Sequence, residues 1–270
     1  MKIRVIAAAA LLPLLLVVLI VLPPVWAALL IGAMAAIAAF ELLWGTGLVK
    51  HPRLITYSAV FAFAVPLWCY MDCPYVWGLG GVLVFSLLLF GELLLSKAKL
   101  PFSKIMVCFA GGILLPYLLS AIVRIRGMEL GAYLILLPFI LAFLSDSGAY
   151  FVGVFLGKHK LAPTISPKKT VEGVFGGIAS AIVSVMIFGM VLTFGFDLQV
   201  HYGWGIVYGL VGSVISVMGD LTFSAIKRQA GIKDYGNLIP GHGGILDRFD
   251  SMMLVAPVTE LLLLIIPFVE

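Results

Sequence analysis

The sequence predicts an all-α, polytopic integral membrane protein with about nine transmembrane helices and a cytoplasmic N-terminus. Three observations predict it. Of 270 residues, 63% are hydrophobic and only 11% are charged, and the mean hydropathy is +1.18. A soluble domain carries about 25% charged residues and about half apolar ones, so this chain could not clothe a water-exposed surface. The apolar residues also fall into runs of about 20, the length that crosses a bilayer core. Finally, the basic residues sort strongly to one side of those runs.

The runs lie at roughly 3–22, 25–48, 54–71, 75–95, 103–123, 131–156, 171–197, 202–226 and 250–269. Lys2 and Arg4 before the first could open a signal peptide, but no small-residue cleavage site precedes Pro23-Pro24. The run is therefore read as a retained span, and the proline pair as the turn of a helical hairpin. The loops after the second, fourth, sixth and eighth spans read KHPR, SKAKLP, GKHKLAPTISPKKT and the long stretch after Ser224. With nine spans these loops share a side with the N-terminus. Of 17 Lys and Arg residues, all but Arg124 and Arg126 then fall on that side, which the positive-inside rule makes cytoplasmic.

We read the chain as one integral-membrane unit, 1–270. Residues 1–130 form scaffold and lipid-facing spans, and 131–270 form the catalytic part with polar cytoplasmic loops at 157–173 and 227–250. No linker or internal repeat divides it. Glu41 and Glu92 are the formal charges inside the first four spans. The simpler reading makes them span-end carboxylates that reach water. A mid-depth charge costs about 2.5–3.5 kcal/mol on insertion scales, which leaves a functional role open. Cys69, Cys73 and Cys108 lack CxxC spacing and nearby histidines, so they read as structural thiols rather than a zinc site or disulfide framework.

The chemistry-bearing residues gather in the second half. Asp220 lies six residues inside the eighth run, about 10 Å below its cytoplasmic boundary at 1.5 Å per residue. Ser213, Ser216, Asp220, Ser224 and Lys227 recur at helical spacing and make one polar stripe. A seam of small polar residues between helices would explain the serines; an ionisable residue on it points to function. Asp146 interrupts the sixth run in the same way, while Gly153 and Gly157 beyond it have small-xxx-small spacing for close helix packing. In the loop that follows, Lys168 and Lys169 suit phosphate binding, and Thr170 is placed to cap the next span. His159, flanked by lysines, reads as solvated.

The last loop, Ser224 to Asp250, combines Lys227, Arg228, Lys233 and Arg248 with the cluster Gly241-His242-Gly243-Gly244. Successive N–H groups in such a cluster can form an anion nest. Asp247 and Asp250 could be no more than a box-like cap on the final helix, but that leaves the crowd of cations unexplained. Carboxylates, cations and an anion nest on the cytoplasmic side suit phosphoryl or nucleotidyl transfer with Mg²⁺.

The stretch S-A-I-K-R-Q-A-G-I-K-D-Y-G-N-L-I-P-G-H-G-G-I-L-D-R-F-D, Ser224 to Asp250, resembles the signature of the phosphatidate cytidylyltransferases at every fixed position. Ser145 to Gly173, with D-S-G-A-Y and S-P-K-K-T-x-E-G, resembles that family's other polar region. The resemblance implies transfer of CMP from CTP to phosphatidate, with Mg²⁺ and with K⁺ as a candidate second cation. It assigns Asp220, Asp247, Lys227, Arg228, Lys233 and Arg248 to catalysis. Ser224, Asp234, Asn237, His242, Gly243, Gly244, Lys168 and Lys169 go to substrate binding, and Asp220, Asp247, Asp146 and Asp250 to metal. The expected partners are CTP, phosphatidate and membrane lipids, with no nucleic acid; a homodimer is open, and the expected location is a bacterial inner membrane. A CTP-dependent polyprenol or dolichol kinase would present similar residues and transfer the γ-phosphoryl instead. An ion-coupled transporter using Asp146 and Asp220 would leave the signature loop without a role.

Overall fold

The computed structural model describes residues 13–97, 99–239, 241 and 243–270. Lys2, Arg4, most of the first expected span and His242 lie outside them. Among the described residues, seven helices are long and apolar enough to cross a membrane. We number them α1 (Pro24–Gly45), α2 (Pro52–Tyr70), α3 (Tyr75–Leu95), α4 (Phe102–Gly127), α5 (Gly131–Leu156), α6 (Val171–Phe196) and α7 (Tyr202–Gln229). A shorter apolar helix, α8 (Met252–Ile265), follows the last loop. The loop between α5 and α6 contains a small antiparallel hairpin, β1 (Lys160–Ala162) with β2 (Ser166–Thr170), which the helical reading of the sequence did not contain.

The chain forms two compact units. The first comprises residues 1–132 and 227–249, the second 133–226 and 250–270. A division of the sequence near residue 130 places the whole last loop with the C-terminal half, whereas the contacts place 227–249 with the first helices. The reason is local: Glu41 and Gly45, at the end of α1, are packed directly against that loop.

In the first unit, Pro24 and Pro52 each occupy a first helical turn, where a missing N–H costs nothing. Leu43, Val49, Leu54, Ile55, Phe85, Leu89, Ile105 and Cys108 form a buried core between α1, α2, α3 and α4. Only Phe85 and Leu89 of α3 are buried, so most of that helix presents Val, Leu, Phe and Trp outward, as a lipid-facing helix does. Glu92 is paired, accepting from Arg53 Nη1 at 3.4 Å and Tyr57 Oη at 3.3 Å. Arg126 donates to the Leu19 carbonyl at 2.7 Å and to that of Ile20 at 3.2 Å. Its guanidinium thus satisfies carbonyls near the end of the preceding helical segment, which Pro23-Pro24 cannot continue. The three thiols are free.

In the second unit, α5 and α6 approach closely. A Cβ at Gly173 would stand 2.8 Å from the Ala149 carbonyl oxygen, and one at Gly176 would collide with Val152. α1, α4 and α5 each carry a five-residue π-helical stretch, Glu41–Gly45, Ala110–Leu114 and Ile140–Leu144. Ser180 Oγ on α6 donates to the Leu144 carbonyl at 2.9 Å, occupying an acceptor in that widened turn. Thr170 caps α6 as its position suggests, its hydroxyl accepting from Gly173 N at 3.1 Å.

The end of α7 explains how the chain leaves the helix. Ile232 N donates to the Lys227 carbonyl and Gly231 N to that of Arg228, with Gly231 at φ +70°. This is a Schellman end, in which glycine accepts the left-handed conformation that other residues resist.

Candidate active site

Two clusters hold the chemistry-bearing residues, one in each unit. In the second unit α5 delivers Asp146, directly after the π-helical stretch, and α7 delivers Ser213, Ser216, Asp220 and Ser224. Ser145 and Ser213 share a hydrogen bond at 2.7 Å. Ser216 Oγ donates to Asp146 Oδ1 at 3.3 Å, and Ser224 Oγ donates to Asp220 Oδ1 at 3.0 Å. Lys169 reaches Asp220 Oδ2 at 2.5 Å. Lys169 and Asp220 are also the charges that act on Asp146. The polar stripe of α7 is therefore both things that its spacing allowed: an inter-helical serine seam at Ser213, and an ionic cluster at Asp220.

The hairpin does the sorting. Along β2, Lys168 stays exposed while Lys169 reaches in to Asp220 and Thr170 is buried. His159 is solvated as expected, its side chain 78% exposed, and it also has a partner: Nδ1 lies 2.6 Å from Glu172 Oε1, and the backbone N–H groups of Lys158 and His159 donate to that carboxylate. Glu172 in the first turn of α6 thus ties the start of the hairpin to the helix that follows it.

In the first unit, Asp247 is not a helix cap, because α8 begins only at Met252. Its Oδ1 accepts from Lys227 Nζ at 2.8 Å, and its Oδ2 accepts from Tyr235 N at 2.8 Å and Gly244 N at 3.0 Å. The pair is buried, the Asp247 side chain 1% exposed and that of Lys227 10%. The Lys227 ammonium also lies 5.4 Å from the Tyr235 ring centroid. Gly241 and Gly243 have φ of +75° and +89°, and Ile239 N closes the turn on the Gly243 carbonyl at 2.9 Å. Gly241 and Gly243 therefore adopt the left-handed backbone conformations that glycine permits. Arg228, Lys233, Asp234, Asn237 and Arg248 all face outward from this loop.

Glu41 is the residue that sequence reasoning misplaced. It is 4% exposed rather than reaching water, and accepts hydrogen bonds from Ile245 N at 3.0 Å and Leu246 N at 2.8 Å. Nothing local signals this contact, which spans more than 200 residues of sequence.

The oxygen-rich second-unit cluster suits a hard divalent cation. Asp146 and Asp220 supply carboxylate oxygens, Ser216 and Ser224 flank them with hydroxyls, and the Lys169 ammonium already places positive charge on Asp220. Among the described residues no three His, Cys, Asp or Glu converge to hold a metal unaided. Asp247 has three N–H donors on its two oxygens, leaving about one of four acceptor sites. Asp250 Oδ1 accepts from Ser251 N at 2.8 Å.

Helices long and apolar enough to cross a bilayer, bearing clustered ammonium and carboxylate groups, mark a membrane protein with ionic clusters. The chain belongs to the Cytidylyltransferase family, whose pattern matches residues 2–266. It is 38% identical to a phosphatidate cytidylyltransferase of Bacillus subtilis, over 87% of each chain. It is 34% identical to one of Haemophilus influenzae, over 95% of this chain and 96% of the relative. A third, from Staphylococcus epidermidis, is 34% identical over 87% of this chain and 89% of its own.

Proposed function

We infer that this chain is a membrane enzyme that transfers CMP from CTP to phosphatidate, giving CDP-diacylglycerol and pyrophosphate for phospholipid synthesis. The observation that carries the reading is the end-to-end family match, residues 2–266, in a chain whose signature residues form ordered ionic clusters. A phosphatidate phosphate oxygen attacks the α-phosphorus of CTP. The bond from that phosphorus to the bridging oxygen of the β-phosphate breaks, and pyrophosphate leaves with the electron pair. No protein nucleophile is required.

The chain's own residues bind and orient the phosphates. Lys169, held by Asp220 in the structure, is set to exchange that carboxylate for a substrate phosphate. Lys227 keeps a fixed position because Asp247 holds it, while Arg228, Lys233 and Arg248 offer outward-facing cations. Lys168, Ser224, Asp234, Asn237, His242 and Gly243 complete the proposed substrate contacts, whereas the Gly244 N–H expected to join them is donated to Asp247. Asp146 and Asp220 would hold Mg²⁺, with Asp247 and Asp250 as further candidate ligands and K⁺ as a candidate second cation. Bound Mg²⁺ supplies charge neutralisation at the reacting phosphates. The full topology in this reading has nine spans, α8 contributing to the last, and a cytoplasmic N-terminus. The phosphate-binding loops then face the cytoplasm from a bacterial inner membrane, and a homodimer is compatible with the exposed apolar face of α3.

The test uses purified protein in detergent with phosphatidate, Mg²⁺ and CTP labelled at either the α- or the γ-phosphorus. Lipid-borne α-label, with γ-label released as pyrophosphate, is the expected result. γ-Label in lipid would make the protein a kinase, and no label in lipid from folded protein would sink the transferase reading.

A further inference from the structure

We propose that Glu41 is a positioning residue for the transfer reaction, holding the signature loop in its working shape from the end of α1. The proposal rests on the reading of that loop as part of the transferase site. The Glu41 carboxylate is engaged by the loop backbone at both oxygens: Oε1 accepts from Ile245 N at 3.0 Å and Oε2 from Leu246 N at 2.8 Å. The next residue is Asp247, which holds Lys227, Tyr235 N and Gly244 N. Two carboxylates therefore grip one short segment, Glu41 through its peptide N–H groups and Asp247 through its own side chain.

The loop is shaped around Glu41 on other sides as well. A Cβ at Gly236 would stand 2.5 Å from Glu41 Oε1, and one at Gly244 would overlap the same carboxylate. A Cβ at Gly45, one turn further along α1, would overlap the Tyr235 carbonyl oxygen. Three glycines thus permit close contact between the end of α1 and the stretch from Tyr235 to Leu246. Glu41 also opens the π-helical stretch Glu41–Gly45, a widened turn of a kind often found at functional sites. A carboxylate that served only to solubilise a span end would need neither burial nor two peptide N–H groups.

The test compares Glu41→Gln, Glu41→Asp and Glu41→Ala in the full-length chain, using the α-label transfer assay and hydrogen exchange of peptides covering residues 243–249. Glutamine keeps the length and one acceptor but turns an NH₂ toward a peptide N–H; aspartate keeps the charge but is one methylene too short. Losing one or both buried hydrogen bonds should lower kcat roughly tenfold for Gln and about 30- to 100-fold for Asp and Ala. The KM for phosphatidate should stay within about twofold if ground-state lipid binding is untouched. Exchange should quicken in residues 243–249 and stay unchanged in α2 and α3. Near-normal kcat in Glu41→Ala overturns the proposal. So does the reverse order, Asp active and Gln inactive, which would mark a charge or ligand role, and so does lost activity with unchanged loop exchange. If Glu41→Ala does not fold, the Gln and Asp order decides. Wild-type α-label transfer keeps the two readings apart: its absence sinks the transferase, whereas a full-rate Glu41→Ala protein sinks only this proposal.

Discussion

Asp247 and Asp220 are both carboxylates of the candidate site, but the two units use them differently. In the first unit, Asp247 is 1% exposed and accepts from one ammonium and two peptide N–H groups. Its partners are mostly backbone, and backbone cannot move aside when a substrate arrives. In the second unit, Asp220 is 25% exposed and its partners are a serine hydroxyl and the Lys169 ammonium. Both partners are side chains that can rotate away. A carboxylate tied by peptide N–H groups organises a loop, while one tied by side chains stays available to a ligand. The difference is legible in the donors, not in the acids.

The largest effect should therefore come from Asp220→Asn. Removing a carboxylate that would hold the charge-neutralising cation at the reacting phosphates should cost about 10²–10³-fold in kcat, measured by α-label transfer. The thermal midpoint should barely move, because a partly exposed ion pair contributes about 0–1 kcal/mol. A large fall in melting temperature would break the comparison by making Asp220 another structural clamp.

Lys227→Met sharpens it from the other side. It strands Asp247 in a nearly closed environment without its ammonium, and breaking a buried pair costs about 3–5 kcal/mol. Chemical denaturation in detergent should show that loss, together with falling activity. The double variant Lys227→Met/Asp247→Asn should recover part of the stability, since no uncompensated charge remains, yet recover no activity. An additive double variant would mean that the pair is not coupled.

The sequence made most of the scaffold readable because spans have a hard length requirement. The expected span at 75–95 coincides with α3, and the one at 131–156 with α5, since prolines and charges bound those runs. The site was only partly readable. Lys227 announces itself as the foot of the polar stripe, and Asp146 and Asp220 as ionisable residues in apolar surroundings. Glu41 does too, but its partners lie more than 200 residues away, and no local pattern encodes a contact to Ile245 N. The D-R-F-D segment invites reading as a helix start, whereas Asp247 is consumed by the loop and the helix waits until Met252. His159 is solvated as its surroundings suggest, but its Glu172 partner was not readable, because a lysine-rich, proline-containing stretch hides the hairpin that brings the two together. Spacing along the chain reports neighbours within a helix, not those across a turn or between helices.

The smallest effect expected is at Thr170, where the comparison becomes a question of placement. Thr170 closes β2 and caps α6 by accepting from Gly173 N, and it follows Lys169 directly. Thr170→Val keeps the volume against Gly153 and Gly157 but removes the acceptor, which should cost about 1 kcal/mol, the usual worth of an N-cap. Thr170→Ser should restore it. If the melting temperature drops modestly and transfer stays within about twofold, the cap is purely structural, because Lys169 can find Asp220 without it. If kcat instead falls with little change in melting, the cap is what aims Lys169. The second-unit cluster would then depend on a backbone N–H at one remove, as the first-unit loop does directly.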